Sequence, residues 1–271
     1  MRSLLLHLFR KMFIFADFKR PIIPWKINLL WYNKKVNGKY NVGDYLSVVV
    51  TSYLLKRNKI KMFPHSTVRL SVIGSVIQFI SAPAIVFGSG FLNQKSIQIF
   101  GRKKPRLKLL AVRGPLSLKA LSEMGYSVEG TVLGDPAVLL PLIYTPPRMI
   151  PKNDYIVIPH YSRLHYYDEK HVVSTLTNDW KRFIDKIVAT KLVISSSLHG
   201  IILAEAYGIP CVMLNDTESP DLFKYEDYYL STGRKMMMAR NVDEALKMKN
   251  IEKPNLEEIQ KRLIAKFTLF K

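Results

Sequence analysis

The sequence predicts an α/β protein built on parallel sheets, arranged as two halves of which the second is smaller. Apolar, β-rich runs alternate with helical patterns along most of the chain, as βαβ units do. Several of these runs end in glycine or small polar residues, where a strand would turn toward a helix. Thr145-Pro146-Pro147 interrupts the alternation near its middle, because successive prolines end regular structure. At 271 residues, the chain has room for one large domain or two compact ones; 48% hydrophobic and 23% charged residues suit a folded core.

The elements follow in order. Residues 27–32 read as a strand and 43–57 as the helix after it. Residues 70–73 form a short strand ending at Gly74-Ser75, and 84–87 another ending at Gly88-Ser89-Gly90. The strand at 107–112 runs into Arg113-Gly114. Pro115 suits the first turn of a helix that reaches about residue 124, with Gly125 as its C-cap. A strand at 131–133 leads to Gly134-Asp135-Pro136. Beyond the break come a strand at 155–159, a helix at 176–189, a strand at 191–194, a helix from 198 to 208 and a strand at 211–214. Residues 242–248 and 256–267 read as helices, the last expected to pack back onto the first half. Residues 94–106 and 216–229 show little regular pattern. The expected organisation is an N-terminal basic and apolar segment (1–25), a first half (26–147) and a second half with its C-terminal helix (148–271).

Residues 1–18 combine leucine and phenylalanine with Arg2, Arg10 and Lys11. Charges at Arg10, Lys11 and Asp17 leave no run near the ~20 apolar residues of a spanning helix. A small-residue cleavage site after a clean apolar stretch is missing, so no signal peptide is expected. Two readings stay open: an amphipathic helix lying in a membrane surface, or a helix packed on the protein.

The net charge of +20, from 41 basic and 21 acidic residues, favours anionic partners. There is no zinc-finger spacing, RNP-like segment or basic repeat, so nucleic acid is not expected. The scattered surplus suits an anionic membrane face or phosphorylated lipids. The single cysteine, Cys211, lies in an apolar run and reads as a small core residue. That fits a reducing compartment such as the cytoplasm, with a peripheral place on the inner membrane face as a further expectation. No His/Cys/Asp set has metal-ligand spacing, and neither a P-loop nor a GxGxxG fingerprint occurs.

The densest chemistry lies in Ser195-Ser196-Ser197-Leu198-His199-Gly200, where a buried strand gives way to a helix. Helix N-termini attract anions, and open α/β sheets bind ligands outside the carboxyl ends of their strands. A histidine there can move protons near neutral pH. Equally, the serines can cap the helix while His199 serves as a structural hydrogen-bonder.

Four further signatures stand at strand ends: Asn41-Val42-Gly43-Asp44, Val86-Phe87-Gly88-Ser89-Gly90, Val112-Arg113-Gly114-Pro115 and Leu133-Gly134-Asp135-Pro136. With Ser197-Leu198-His199-Gly200 and Ala204-Glu205-Ala206-Tyr207-Gly208-Ile209-Pro210, they form an ordered series over roughly residues 41–214. This series resembles the polysaccharide pyruvyl transferase family. The resemblance implies two Rossmann-like halves facing a central crevice, similar to two-domain, GT-B-like glycosyltransferases. It implies phosphoenolpyruvate as co-substrate, with no other cofactor, and a sugar hydroxyl as acceptor. Many members carry Arg before Leu-His-Gly; here Ser197 takes that place, so one cation is missing. The Ser-Ser-Ser-Leu-His-Gly form looks like the branch that builds pyruvate ketals on bacterial exopolysaccharides.

Under this resemblance, Arg113 is the expected cation for the donor, able to hold a carboxylate or phosphate in a bidentate fork. Its alternative is a surface arginine paired with an acid. Ser195, Ser196, Ser197 and Gly200 form the second expected anion site, and Gly88 and Ser89 a place for backbone to approach the donor. His199 is the expected general acid/base, its pKa lowered by the helix N-terminus. Asp44 is an expected base or acceptor ligand, or a first-turn acid favouring the helix dipole. Asn41, His160, Asp135 and Glu205 are further candidates for donor or acceptor, Asp135 with a turn-forming alternative. The acceptor would be a glycan, with a polyprenyl-diphosphate-linked form suiting the basic surface. Two other functions compete: a nucleotide-sugar glycosyltransferase, which needs a carboxylate such as Glu205 in the second half, and a basic scaffold binding membrane or polysaccharide. Acceptor identity and oligomeric state are not legible in the sequence.

Overall fold

The computed structural model describes residues 29–60, 69–147, 150–167, 169–216 and 221–268. The N-terminal basic and apolar segment, with its two readings, lies outside the described residues. Two parallel sheets form the frame. The first holds β1 (Leu29–Leu30), β2 (Arg69–Ser71), β3 (Ala84–Phe87), β4 (Leu107–Val112) and β5 (Val132–Leu133), in that spatial order. The second holds β6 (Ile156–Ile158), β7 (Val193–Ser195), β8 (Cys211–Leu214) and β9 (Met238–Ala239), again in order. The mixed α/β architecture with a smaller second sheet is as the sequence predicts. Parallel sheets are covered on both faces, so their strands read as continuous apolar runs rather than alternating ones. β8 follows this rule, buried at all four positions, with Cys211 a free, buried thiol.

Helices α1 (Val42–Arg57), α2 (Gln94–Gly101) and α3 (Pro115–Glu123) belong to the first half. The second contributes α4 (Trp180–Val188), α5 (Leu198–Ala206), α6 (Phe223–Ser231), α7 (Val242–Lys247) and α8 (Glu257–Thr268). Asn41 starts α1 by accepting the Gly43 N–H (3.0 Å), and Asp44 in the first turn opposes Lys56 and Arg57 in the last, as the helix dipole favours. A 3-10 segment, Pro136–Leu142, follows β5 and packs against α5 and α1.

Three expectations are corrected. Residues 94–106 contain α2, started by a capping box in which Asn93 accepts the Ser96 N–H and Ser96 the Asn93 N–H. Residues 216–229 contain most of α6, which has no side-chain cap and buries Tyr225, Asp227, Tyr228 and Tyr229. Its polar composition hides the helical period, because the tyrosines supply the buried face. The helix expected from 176 begins instead at Trp180, capped by Asp179. The preceding residues pair with the first half: the Val42 N–H donates to the Thr175 carbonyl (2.8 Å), and the Thr177 N–H to that of Tyr40 (3.0 Å).

The C-terminal helix does return to the first half. α8 packs on β4, β5 and the 3-10 segment, with Leu263 and Phe267 fully buried and Phe267 edge-on to Phe87 at 5.0 Å. Each such side chain contributes about 1.5–3 kcal/mol of hydrophobic stabilisation. One hydrophobic cluster runs from Leu29 and Leu70 of the first sheet to Ile158 and Val193 of the second. Among the described residues, no helix is long and apolar enough to cross a membrane.

Candidate functional site

A crevice of about 350 Å³ opens between the halves. Tyr32, Asn41, Asp44 and Ser75 line it from one side; His160, Tyr161, Ser197, His199 and Lys224 line it from the other. A side pocket of about 220 Å³ adjoins it and shares His160 and Lys224. It is lined by Arg163 and Asp216, and Asp216 accepts from both Arg163 (3.0 Å) and the Tyr167 hydroxyl.

His199 is the second residue of α5, and its ring packs against α1 because Gly43 has no side chain. A Cβ on Gly43 would sit 2.0 Å from His199 Nδ1. On the other side, His199 Nε2 lies 3.9 Å from Asp135 Oδ2. Both atoms are buried and lack a hydrogen-bond partner. Burial, reinforced by the charges of Lys224 and Arg113, pushes the His199 pKa down to about 3, so the imidazole is neutral at pH 7. The direction matches the expectation, with burial as the largest cause. His160 is likewise held down, to about 4, by burial and Lys224, with Asp216 opposing.

Asp44 faces the crevice from the first turn of α1. Burial raises its pKa to about 7, with Lys224 pulling the other way. Lys224 itself is lowered to about 8 by burial and by the charge of Arg113, against Asp44 and Asp221. The crevice therefore holds a carboxyl and an ammonium that both titrate near neutrality.

The expected free fork of Arg113 is corrected. Its side chain is fully buried and its nitrogens are engaged. Nε donates to Asp227 (3.1 Å), Nη1 to Ser75 Oγ (2.7 Å) and Nη2 to the Phe91 carbonyl (2.6 Å), with Nη2 also 3.0 Å from Asp227. Nor is it the surface arginine of the alternative reading. Arg113 ties β4 to α6 and reaches the crevice only through Ser75. Gly90 and Gly114 serve that tie: a Cβ would stand 2.5 Å from the Arg113 guanidinium carbon in one case and 1.8 Å from the Asp227 carbonyl in the other.

Other members of the expected donor set make packing and hydrogen-bond contacts within the fold. Gly88 takes a left-handed φ of 98° and packs on Pro136, while Ser89 is fully buried against Ser71 (2.6 Å). Ser195 is fully buried, its hydroxyl donating to the Ile158 carbonyl (2.8 Å) and accepting the Ser197 N–H (3.0 Å). Gly200 lets α5 approach that hydroxyl, which a Cβ would meet at 2.3 Å. Ser196 accepts the His160 N–H (3.0 Å) and lines the side pocket. Ser197 alone of the three serines lines the crevice, and it makes no side-chain capping bond. Glu205 is far from this chemistry. It is locked in a buried ion pair with Arg234 (2.8 Å) and accepts the Tyr228 hydroxyl (2.7 Å).

Asn41 lines the crevice while capping α1, and Asp135 caps the 3-10 segment by accepting the Ala137 N–H (2.9 Å). The turn-forming reading of Asp135 thus holds for one oxygen, and the other faces His199. Lys224 and Ser75 are the residues that sequence reasoning missed. Among the described residues, Lys224 is the only lysine or arginine lining the crevice. Nothing in Phe223-Lys224-Tyr225 distinguishes it from other surface lysines; only the placement of α6 brings it in.

Comparison with known proteins fits this arrangement. The family profile for polysaccharide pyruvyl transferase matches residues 2–217. Uncharacterized protein L143 of Acanthamoeba polyphaga mimivirus is 31% identical over 215 residues, covering 73% of this chain and 68% of that protein. Succinoglycan biosynthesis protein ExoV of Rhizobium meliloti is 25% identical over 213 residues, covering 71% of this chain and 62% of that protein. The chain thus spans about two thirds of the length of these relatives. A solved structure of the functionally uncharacterized protein KP1_0663 from Klebsiella pneumoniae aligns with a TM-score of 0.49 and 14% identity, covering 76% of this chain and 91% of that one. The strand-end motifs that build the crevice, from Asn41 to His199, all fall inside the profile match, and the chain belongs to the polysaccharide pyruvyl transferase family.

Proposed function

We propose that this chain transfers the pyruvyl group of phosphoenolpyruvate to hydroxyls of an exopolysaccharide or its lipid-linked repeat unit, forming a cyclic ketal. One observation carries the reading: a single crevice joins a cation, a helix N-terminus, a neutral imidazole and a carboxyl that titrates near pH 7. Lys224 and the free N–H groups at the start of α5 would hold the donor's anionic groups. Ser197 supplies a neutral hydroxyl beside them. The polysaccharide class is supported by the family and by the similarity to the Rhizobium succinoglycan biosynthesis protein.

The reaction removes two hydroxyl protons, supplies one to C3 and releases the other with phosphate. As a sugar oxygen bonds to C2 of the enol, its hydroxyl proton leaves and C3 gains a proton to become a methyl group. Phosphate then departs from C2. A second hydroxyl bonds there, its proton leaving with the phosphate, to give ketal plus inorganic phosphate. His199 and Asp44 both line the crevice, the histidine ring resting on Gly43 beside Asp44, and divide the proton transfers between them. The net charge of +20 supports work at an anionic surface such as the inner membrane face, where a polyprenyl-diphosphate-linked acceptor would lie.

The nucleotide-sugar reading loses its support, since Glu205 is neutralised by Arg234 away from the crevice. The test compares wild type and Lys224→Met in thermal shift with phosphoenolpyruvate, UDP-glucose and inorganic phosphate. At 100 Kd a ligand adds roughly 2.7 kcal/mol, or roughly 5–10 °C for a chain of this size. A shift specific to phosphoenolpyruvate, lost in the variant, together with acceptor-dependent phosphate release, is the expected result. A shift with UDP-glucose alone would move the assignment to glycosyl transfer. Equal shifts with every anion and no phosphate release would leave a basic binding scaffold.

A further inference from the structure

Two orphaned polar atoms face each other beside the crevice: Asp135 Oδ2 and His199 Nε2, 3.9 Å apart, both buried and without a partner. An unpaired buried polar group costs about 1–3 kcal/mol, so a fold seldom keeps two of them side by side without use. An approach of about 1 Å would close them into one hydrogen bond. Each is otherwise held in place. Asp135 Oδ1 is pinned by the Ala137 N–H (2.9 Å), and the His199 ring is pressed against Gly43. Nε2 points inward toward Asp135, while Nδ1, the ring nitrogen beside Gly43, is not among the fully buried unpartnered atoms and is the nitrogen that a crevice ligand can reach.

Building on the pyruvyl-transfer reading, we propose that Asp135 is a positioning residue, which takes the Nε2–H of His199 and so fixes the tautomer that leaves Nδ1 free to exchange a proton with substrate. The imidazole must pass between neutral and charged forms in either direction of transfer. A carboxylate on its far side stabilises the charged form and holds the ring. At 3.9 Å the carboxylate already favours the proton on Nε2 in the free protein, and the contact shortens when substrate enters, since catalytic hydrogen bonds are commonly long in the free enzyme. Other charged groups bear on the pair from every side: Arg113 from the end of β4, Lys224 and Asp227 from α6, and Asp44 from α1.

Asp135→Asn separates this role from the capping role. Asparagine caps as well as aspartate, so its oxygen stays on the Ala137 N–H. Its NH₂ then faces Nε2 and can only donate, which forces the proton to Nδ1. The experiment reads the His199 tautomer by ¹⁵N NMR in the full chain without ligand, then kcat and KM for phosphoenolpyruvate. Wild type is expected to carry the proton on Nε2 and the variant on Nδ1. Turnover should fall by about 10²-fold or more, with KM within about threefold of wild type. The same tautomer in both proteins overturns the proposal, and so does a changed tautomer with unchanged kcat. If the asparagine variant does not fold, Asp135→Ser keeps a capping oxygen without a carboxylate: loss of the Nε2 preference with a like fall in kcat supports the proposal, and an unchanged tautomer overturns it. If wild type transfers no pyruvyl group, the reaction assignment fails while the tautomer still decides the Asp135–His199 pairing.

Discussion

Gly43→Ala places a methyl group where the structure puts the His199 ring. The new Cβ would lie 2.0 Å from Nδ1, 2.2 Å from Cγ and 2.7 Å from the histidine Cβ. Ordinary contact begins at about 3.5 Å, so the ring must retreat by roughly 1.5 Å. Neither backbone yields easily. α1 is anchored by the buried Leu46, Val50 and Leu54, and α5 is seated on Ser195 through Gly200. The side chain therefore moves instead. Overpacking of this kind costs about 1–3 kcal/mol, and alanine in a helix returns about 0.5–1 kcal/mol. The net loss of about 0–2.5 kcal/mol corresponds to a drop in Tm of at most roughly 10 °C. Turnover should suffer far more, since a displacement of about 1 Å can cost 10²-fold. The assay is acceptor-dependent phosphate release from phosphoenolpyruvate, alongside thermal unfolding. Gly43→Ala should match His199→Ala in rate, and the double variant should lose nothing further, because both remove the same group. A folded Gly43→Ala protein with wild-type turnover would refute the placement of His199 in the chemistry.

Two other outcomes follow from the buried charges. Asp227→Ala leaves Arg113 without its counter-charge at a fully buried site, which should cost on the order of 3–5 kcal/mol in urea unfolding; a loss below about 1 kcal/mol would mean the pair is not what ties β4 to α6. His199 has its pKa lowered in the fold, so its contribution is intact above about 6.5 and is lost as pH falls toward 3. Relative to His199→Gln, wild type should lose on the order of 1–2 kcal/mol between pH 7 and pH 5, and parallel pH profiles for the two proteins would contradict the burial of the imidazole.

Strand and helix order was legible because it rests on local pattern. The runs at 191–194 and 211–214 are short and apolar, as two-face-buried parallel strands are, and the structure places strands at Val193–Ser195 and Cys211–Leu214. Asn41, Asp44 and His199 could be chosen for the same reason: each sits at a strand-to-helix junction, where side chains meet the ligand-binding edge of the sheet. The glycines of the motifs were legible as positions but not as purposes. Their neighbours, His199 for Gly43 and Arg113 for Gly90, come from distant parts of the chain.

What the sequence determined by itself was the α/β class, the two halves and the resemblance that the family match upholds, all carried by short-range spacing. The tertiary structure alone decided which charged groups reach solvent in the crevice. Arg113 and Lys224 are both cations in the sequence, yet Asp227 buries the first, while the position of α6 presents the second beside Asp44 and the start of α5. A charge is available to a ligand only where the fold has not already paired it. That pairing is set by residues 114 positions apart, which no local pattern records.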